Sequence, residues 1–195
     1  MDLVSTLVSS GWASGVNAYL TVALMSLLGR AGVGDVPEEL QTDGVLIAAL
    51  VLYAIEFVVD KVPLLDSAWD VVHTIVRPAI ASAVGVEIGG DMGAAGVEEV
   101  FAGGGAGAMA FASHAVKAGI RLAVNTSPEP ASNIFVSLLE DGLVAGVVIL
   151  ALEHPVPAAV IAALLLAAGA ALVVFLYKRI RRGYSYVRRW LARST

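Results

Sequence analysis

The chain has 195 residues, of which 58% are hydrophobic and 15% are charged, whereas a soluble domain usually carries about 25% charged residues. It contains no cysteine, which excludes disulfide bonds, thiolate metal ligands and a cysteine nucleophile. The net charge of −5 conceals a basic end, because every charged residue from position 178 onward is Lys or Arg. This composition indicates a membrane protein. Membrane topology explains the basic end, so no nucleic-acid partner is expected.

Apolar segments separated by helix breakers predict an all-α fold, a polytopic membrane bundle of about six helices. The first helix is predicted over about residues 3–29, with an interruption at Ser9-Ser10-Gly11. The others are predicted over about residues 44–60, 67–84, 106–124, 131–152 and 158–180. The last is the clearest, since residues 158–177 carry no charge. At about 1.5 Å per residue they cover about 30 Å, the thickness of the hydrocarbon layer.

Proline and glycine mark the connections between these helices. A polar loop from Gly32 to Asp43 follows the first helix, and proline breaks lie at residues 61–63, 127–130 and 153–157. A glycine-rich stretch over about residues 85–105 is expected to be a flexible connection between the third and fourth helices.

The chain is expected to form a single membrane domain over residues 1–195, built from two inverted three-helix repeats. The repeats cover about residues 1–84 and 106–182, joined by a glycine-rich linker at 85–105 and followed by a basic amphipathic tail at about 183–195. Three helices per repeat require the second repeat to enter the membrane from the opposite side. The alternative is that any six-helix chain of this composition shows such a likeness by chance.

The basic end also predicts the orientation. Cytoplasmic segments carry an excess of Lys and Arg, so an even number of crossings places both termini in the cytoplasm and the chain in the plasma (inner) membrane. The connections expected on the outer side are acidic, with Arg30 as the exception. The start Met1-Asp2 lacks the basic residues of a signal peptide, so the first apolar segment is expected to be retained.

Ionisable side chains recur at helical spacing inside the apolar segments, where they are costly and usually mark a pathway, a site or a paired network. The third helix carries a polar stripe on one face, formed by Asp66, Asp70, His73 and Arg77. The fourth carries a basic stripe formed by His114, Lys117, Arg121 and Asn125. Further polar faces are formed by Glu56 and Asp60 on the second helix, and by Asn133, Ser137 and Glu140 or Asp141 on the fifth. With Asn17 and Lys61, these residues are the candidate lining of a substrate or ion pathway.

Two interpretations of the stripes remain open. In the first, acids and bases only pair to hold the bundle together. The expected partners are Glu140, Asp141 or Glu56 for Lys117 and Arg121, and an acid of the second half for Arg77. In the second, the interior is hydrated or binds a ligand. The second is favoured, because a buried ion pair often only breaks even against apolar packing and Gly11 and Gly15 could pack the helices without charge.

His73 and His114 are candidate proton acceptors, because histidine titrates near neutral pH. With acids nearby they could also ligate a divalent cation, but no close histidine pairing exists in the sequence. No metal, cofactor or catalytic residue is therefore expected, and no phosphate loop or nucleophile elbow is found. The expected partners are membrane lipids and an ion or small solute. A homo-oligomer is also expected, with no number fixed by the sequence.

Four segments of the chain resemble one family. They read VDKVPLLDSAWDVVHTIVRP at 59–78, SGVNAYL at 14–20, KAGIRLAVNTSPEPASN at 117–133 and SLLED at 137–141. Together they are similar to an uncharacterised polytopic membrane family, domain of unknown function 4126. The resemblance covers most of the chain and implies a small polytopic membrane protein without an assigned activity. The signature positions fall on the stripes and add Trp69, Pro128, Glu129 and Pro130.

Three functions are consistent with these features. The preferred one is a small transporter or channel, with a charged intramembrane site for an ion or small anionic solute and groups available for proton coupling. The second is a structural or assembly protein whose buried charges only pair helices. The third is an intramembrane enzyme acting on a lipid phosphate, with His73 as acid or base and Arg77, Lys117 and Arg121 clamping the phosphate. It ranks last, since no nucleophile can be assigned together with a base.

Overall fold

The chain folds into six long α-helices in the computed structural model, which describes residues 2–125 and 130–191 and omits the side chains of 63, 64, 130 and 183–191. The helices are α1 (Leu3–Arg30), α2 (Asp43–Val59), α3 (Pro63–Asp91), α4 (Val97–Val124), α5 (Pro130–Glu153) and α6 (Pro155–Leu191). A short 3₁₀ helix (Glu38–Gln41) precedes α2. The part of the chain that the structure describes contains no strand, so the predicted all-α class and the number of helices are confirmed.

Four of the six helices are long and apolar enough to cross a membrane. They are Leu3–Arg30, Leu65–Asp91, Ala131–Glu153 and Pro155–Arg182. α2 has 17 residues, fewer than the roughly 20 that usually cross the hydrocarbon layer. In the apolar 18-residue segment of α6 only 6% of the residues are buried, against 83% in that of α1. A helix that exposes so much apolar surface needs an apolar environment, which indicates membrane association.

The predicted glycine-rich connection over residues 85–105 is wrong. Most of this stretch is helical, and only residues 92–96 connect α3 to α4. A Cβ atom on Gly85 would lie 2.7 Å from the Cβ of Ala106, and one on Gly103 would lie 2.9 Å from the carbonyl oxygen of Ser82. These glycines therefore serve the close approach of two helices, and not a flexible connection.

The interruption predicted at Ser9-Ser10-Gly11 is also misplaced. The backbone is helical there, and the Ser9 hydroxyl donates a hydrogen bond to the carbonyl oxygen of Ser5 (2.8 Å) within the helix. The backbone instead leaves helical geometry at Asn17, with φ −150° and ψ 97°. The tail predicted at about 183–195 continues α6 as helical backbone to Leu191, and its side chains and residues 192–195 lie outside the described part of the chain.

The connections lie alternately at two ends of the bundle. At one end, here called the acidic end, residues 31–42, 92–96 and 154 connect the helices. A Cβ atom on Gly34 would lie 2.7 Å from that of Leu152 there. The other end is called the corner end. There residues 60–62 connect α2 to α3, and the amide nitrogen of Asn125, just after α4, donates a hydrogen bond to the Ser67 hydroxyl (2.9 Å). The start of α1 and the C-terminal part of α6 therefore also lie toward the corner end.

α1 occupies the centre of this arrangement and packs against each of the other five helices. Gly11 and Gly15, singled out in the sequence, lie where it meets α4. Added Cβ atoms would lie 2.7 Å from the carbonyl oxygen of Ala106 and 2.2 Å from that of Ala110. The inverted repeat over residues 1–84 and 106–182 stays a prediction.

The contact between α3 and α4 generates a prediction about two glycines. We expect Gly85→Ala to destabilise the protein by about 1–3 kcal/mol through overpacking. We expect Gly104→Ala to stabilise it by about 0.5–1 kcal/mol, because its added Cβ meets nothing within 4 Å and alanine favours the helix. Unfolding of the two purified variants in detergent measures both effects. A Gly85→Ala protein as stable as Gly104→Ala would contradict the close packing.

Candidate functional site

Polar side chains from four helices converge inside the bundle, from the corner end to about halfway along it. Eight of them are joined by ion pairs and are called the charged cluster: Glu56, Asp60, Asp66, Asp70, Arg77, Lys117, Arg121 and Glu140. All are buried except Glu140, which is half-buried. Asp66 and Arg77 are eleven residues apart on α3, so the cluster extends about 16 Å along the bundle.

The two predicted stripes face each other where α3 packs against α4. His73 and Arg77 are 2% and 0% exposed on α3, and Lys117 and Arg121 are 3% and 1% exposed on α4. α2 brings Glu56 and Asp60 to the same region, and α5 brings Asn133, Ser137 and Glu140.

Arg121 joins three helices at the corner end. Its guanidinium donates hydrogen bonds to Glu140 Oε2 (2.8 Å) and to Asn133 Oδ1 (2.8 Å) on α5. It also donates to the carbonyl oxygen and to Oδ2 of Asp60, at 2.9 and 3.2 Å, where α2 ends. Asn133 donates to the same carbonyl oxygen (2.9 Å). A guanidinium is suited to this position because it carries five donors in a fixed plane.

Lys117 lies next to Arg121, one helical turn deeper. Its ammonium donates hydrogen bonds to Asp60 Oδ2 (3.0 Å) and to the carbonyl oxygen of Val16 (3.1 Å). Glu56 and Glu140 each place one carboxylate oxygen 3.6 Å from the ammonium. Oxygen atoms of α1, α2 and α5 therefore surround this buried cation.

Arg77 is the deepest cation of the cluster, midway along α3. It donates hydrogen bonds to Glu56 Oε1 (2.5 Å), to His114 Nδ1 (2.7 Å) and to the carbonyl oxygen of Gly15 (3.3 Å). Its closest approach to Asp70 is 3.5 Å. Both acids belong to the first half of the chain, so the predicted pairing of Arg77 with an acid of the second half is wrong. The predicted pairing of Arg121 with Glu140 is confirmed.

The contacts of His114 define its tautomer. Arginine can only donate, so His114 Nδ1 must accept the hydrogen bond from Arg77. The proton of the neutral ring then lies on Nε2, which donates to the carbonyl oxygen of Asp70 (3.1 Å). His114 is therefore a neutral link between α3 and α4 in this arrangement.

The break in α1 supplies two of the oxygen atoms that bind these cations. Asn17 acts as an N-cap inside the helix, because its Oδ1 accepts the backbone N–H of Leu20 (2.9 Å). In a regular helix that N–H would donate to the carbonyl oxygen of Val16. The carbonyl oxygens of Gly15 and Val16 are left to accept from Arg77 and Lys117 instead.

Asp141 lies beside the break and not among the ion-paired acids. Its two carboxylate oxygens accept hydrogen bonds from Asn17 Nδ2 (3.0 Å) and from the Tyr53 hydroxyl (3.2 Å). The sequence reasoning missed both Tyr53 and the capping role of Asn17. The preference of asparagine for helix N-caps could have drawn attention to Asn17, whereas nothing in the sequence singled out Tyr53.

His73 belongs to an aromatic branch of the site. Its ring stacks on Trp69, with centroids 4.5 Å apart, and its Nδ1 donates to the Trp69 carbonyl oxygen (2.8 Å). Its Nε2 lies 2.9 Å from the hydroxyl of Tyr19. Trp69 therefore packs against His73, and Tyr19 is a second residue that the sequence did not single out.

Two predicted site residues lie at the corner end. Lys61 contacts the carbonyl oxygen (2.6 Å) and the ring of Phe57, away from the centre of the cluster. The amide nitrogen of Asn125 donates to Asp66 Oδ2 (2.7 Å). The signature positions Pro128 and Glu129 and the side chain of Pro130 lie outside the described residues.

Two crevices reach the charged cluster. One, of about 190 Å³, opens between α3 and α4, and is lined by Ser67, Asp70, Val71, Thr74, Ala118, Arg121 and Leu122. The other, of about 310 Å³, lies among α1, α4, α5 and α6 and is mostly apolar, with Lys117 and Glu140 in its wall. Among the described residues, no group of three or more His, Asp or Glu side chains is placed to hold a metal ion.

The sequence matches a known family over residues 4–175, and that family is described as a domain of unknown function (DUF4126). No curated protein and no solved structure matches the chain.

The buried pair of Arg77 and Glu56 generates a prediction. Arg77→Met should destabilise the protein by about 3–5 kcal/mol, because it leaves Glu56 charged and without its main partner in the interior. Adding Glu56→Gln should recover much of that loss, which a double-mutant cycle in detergent would measure.

The exposed pair of Arg30 and Asp43 is the matched control. Its side chains are 34% and 85% exposed, and its nitrogen–oxygen distance is 2.7 Å. The same substitutions there should cost about 0–1 kcal/mol. If Arg77→Met destabilises the protein no more than Arg30→Met does, the buried pair contributes no more to stability than an exposed pair.

Proposed function

The chain belongs to this family, and we propose that it is a small integral membrane transporter or channel. Its charged cluster is then the intramembrane site for an ion or small anionic solute, with groups available for proton coupling. The observation that carries the proposal is a cluster of buried charges, placed at a break midway along α1 and reached from the surface by a crevice.

The break in α1 supports this function because it exposes backbone groups inside the bundle. Discontinuous helices are typical of transporter sites, where the freed carbonyl oxygens and the ends of the half-helices bind ions and charged groups. Here the freed carbonyl oxygens of Gly15 and Val16 bind two cationic side chains.

The charges themselves support a role beyond packing. Ionisable groups at membrane depth are costly and usually mark pathways or relays. Asp70 and Arg121 line the crevice between α3 and α4, so the cluster is accessible from its surface. The proposed pathway comprises the polar residues named from the sequence, with Lys61 at its edge.

The nature of the solute can be narrowed by the hydrogen bonds. Arg77, Lys117 and Arg121 each bind carboxylate and carbonyl oxygens. An anionic solute, or a lipid phosphate in an enzyme, would have to displace these oxygens before it could bind. A cation needs no such displacement, so the geometry supports cation movement better than anion movement.

A structural role is the second candidate, and one observation favours it. Arg121 alone joins α4 to the end of α2 and to α5. Charges that only staple helices would produce the same contacts. The two candidates differ in whether ions cross a membrane that contains the protein.

The proposed location is the plasma (inner) membrane with both termini in the cytoplasm. The described part of α6 beyond its apolar segment carries Lys178, Arg179, Arg181 and Arg182 on the corner-end side. An excess of basic residues marks the cytoplasmic side. The charged cluster would then open toward the cytoplasm.

Single cysteines test this orientation, because the chain has none of its own. Glu38→Cys, at the acidic end, should react with a membrane-impermeant maleimide added outside intact cells. Lys178→Cys should react only after the membrane is opened. Both positions are exposed. The reverse pattern, or labelling of both from one side, would contradict the proposed topology.

Ion flux into proteoliposomes tests the proposed function. The purified protein should carry at least one of H⁺, Na⁺, K⁺, chloride or phosphate faster than protein-free vesicles do. Ala118→Phe, which fills the crevice between α3 and α4 without changing any charge, should reduce that flux. We expect a reduction of about tenfold, equivalent to about 1.4 kcal/mol.

Ala115→Phe is the matched control, since Ala115 is exposed one turn earlier on the same helix. It should leave the flux unchanged. Equal flux in both variants would remove the crevice from the pathway. No flux of any of these ions with the wild-type protein would remove the transport proposal and leave the structural role.

A further inference from the structure

We infer that Asp66 and Asp70 form a proton-binding pair, of which Asp70 lines the crevice between α3 and α4, and that each carries a proton when the helices are arranged as described. The inference rests on the proposed function in one respect, since it makes the proton the ion that couples to movement. The protonated pair itself can be tested without any transport.

The charged cluster contains more acids than cations. It contains five carboxyl groups and three cationic side chains, and His114 is neutral in the arrangement described above. If all five acids were ionised, two negative charges would remain without a cation. Uncompensated charge in a low-dielectric interior is so costly that the group usually becomes neutral instead.

Asp66 and Asp70 are the two acids that exceed the number of cations. Glu56, Asp60 and Glu140 each have a cationic nitrogen at hydrogen-bond distance, at 2.5, 3.0 and 2.8 Å. In Asp66 and Asp70 the closest cationic nitrogens lie at 3.8 and 3.5 Å. The three close pairs use all three cations, so Asp66 and Asp70 are the two acids left over.

One carboxyl oxygen atom of each of these two acids is buried without a hydrogen-bond donor. Asp66 is 0% exposed and Asp70 is 6% exposed, and Oδ1 of each accepts no hydrogen bond among the described residues. A buried carboxylate oxygen without a donor loses the hydration that would stabilise its charge. The two side chains also lie one helical turn apart on the same face of α3, where two negative charges repel each other.

The groups around Asp66 and Asp70 do not compensate the excess negative charge. The ionisable groups that face the pair from α2, α3 and α4 are Asp60, His73, Arg77, His114 and Arg121, and α1 contributes Tyr19 through His73. Both arginines are already bound to other acids. A metal ion would need several ligands at once, and the described residues offer no such group, whereas a proton needs a single oxygen atom.

The crevice provides the route for the proton. Asp70 lines it together with Thr74, so water entering there can reach the carboxyl group. A proton from hydronium adds to a carboxylate oxygen and gives a neutral carboxylic acid and water. Release reverses the step and returns the negative charge, which would attract Arg77 and Arg121, the cations already paired with Glu56 and Glu140. Protonation of the pair is therefore coupled to the ion pairs of the whole cluster.

Infrared spectroscopy of the purified protein in detergent tests the inference at neutral pH. A protonated carboxyl group has a carbonyl stretch that is distinct from the carboxylate bands and shifts in D₂O. The wild-type protein should show the band of two such groups per chain. Asp70→Asn and Asp66→Asn should each remove about half of it, and the double variant should remove it all. Asparagine resembles the neutral acid, so these variants should fold.

Asp91→Asn is the matched control, because Asp91 is exposed at the other end of α3, and it should leave the band unchanged. The spectra should be the same in Na⁺, K⁺ or a large organic cation. Absence of the band in the wild-type protein would overturn the inference, as would its persistence in the double variant. A band that disappears in Na⁺ or K⁺ would make the pair an alkali-metal site and overturn it as well. Absence of flux in proteoliposomes would overturn the proposed function alone.

Discussion

Three buried cations, Arg77, Lys117 and Arg121, determine how the helices of this chain can be arranged. Each has lost its hydration and regains hydrogen bonds from groups on other helices. Leaving one of them without a partner would cost several kcal/mol, a large share of the stability of a typical domain. The helices must therefore meet in the one arrangement in which carboxylates from α2 and α5 reach α3 and α4.

The break in α1 follows from the same constraint. Carboxylates leave donors of Arg77 and Lys117 available, and the carbonyl oxygens of Gly15 and Val16 each accept from one of these cations. A carbonyl oxygen in a continuous helix already accepts from the fourth residue along. Asn17 reduces the cost of the break because its side chain accepts the backbone N–H of Leu20, which would otherwise donate to Val16. One asparagine thus connects local helix geometry to the electrostatics of the interior.

Periodicity in the sequence predicted the faces of the helices but not what those faces contact. Asp66, Asp70 and Arg77 repeat at helical spacing, so their shared face followed from 3.6 residues per turn. Their partners depend on which helices become neighbours, and that is a tertiary property. For this reason the sequence predicted a partner for Arg77 in the second half of the chain, whereas Arg77 pairs with Glu56 of the first half.

The glycine-rich stretch was predicted wrongly for a related reason. Sequence alone does not distinguish a glycine that permits a turn from one that permits close packing, as Gly85 does against Ala106. In α1, the small residues around Gly11 resembled a helix breaker, whereas the true break at Asn17 depends on a side-chain cap. Composition and periodicity therefore predicted the all-α class and indicated membrane association, whereas the glycine contacts of α3 and the break in α1 depend on packing partners.

The depth of the charged cluster has an electrical consequence. The cluster begins at the corner end and stops near Arg77, and beyond it α3 and α4 meet mainly through small apolar residues such as Ala81 and Ala106. A voltage across a membrane falls mostly over the layer that polarises least. In such a membrane, the apolar part of the bundle, which has no charged side chains that could reorient, would hold a larger share of the electric field than the part that contains the carboxylates. Charge moving beyond Arg77 would then do the larger share of the electrical work.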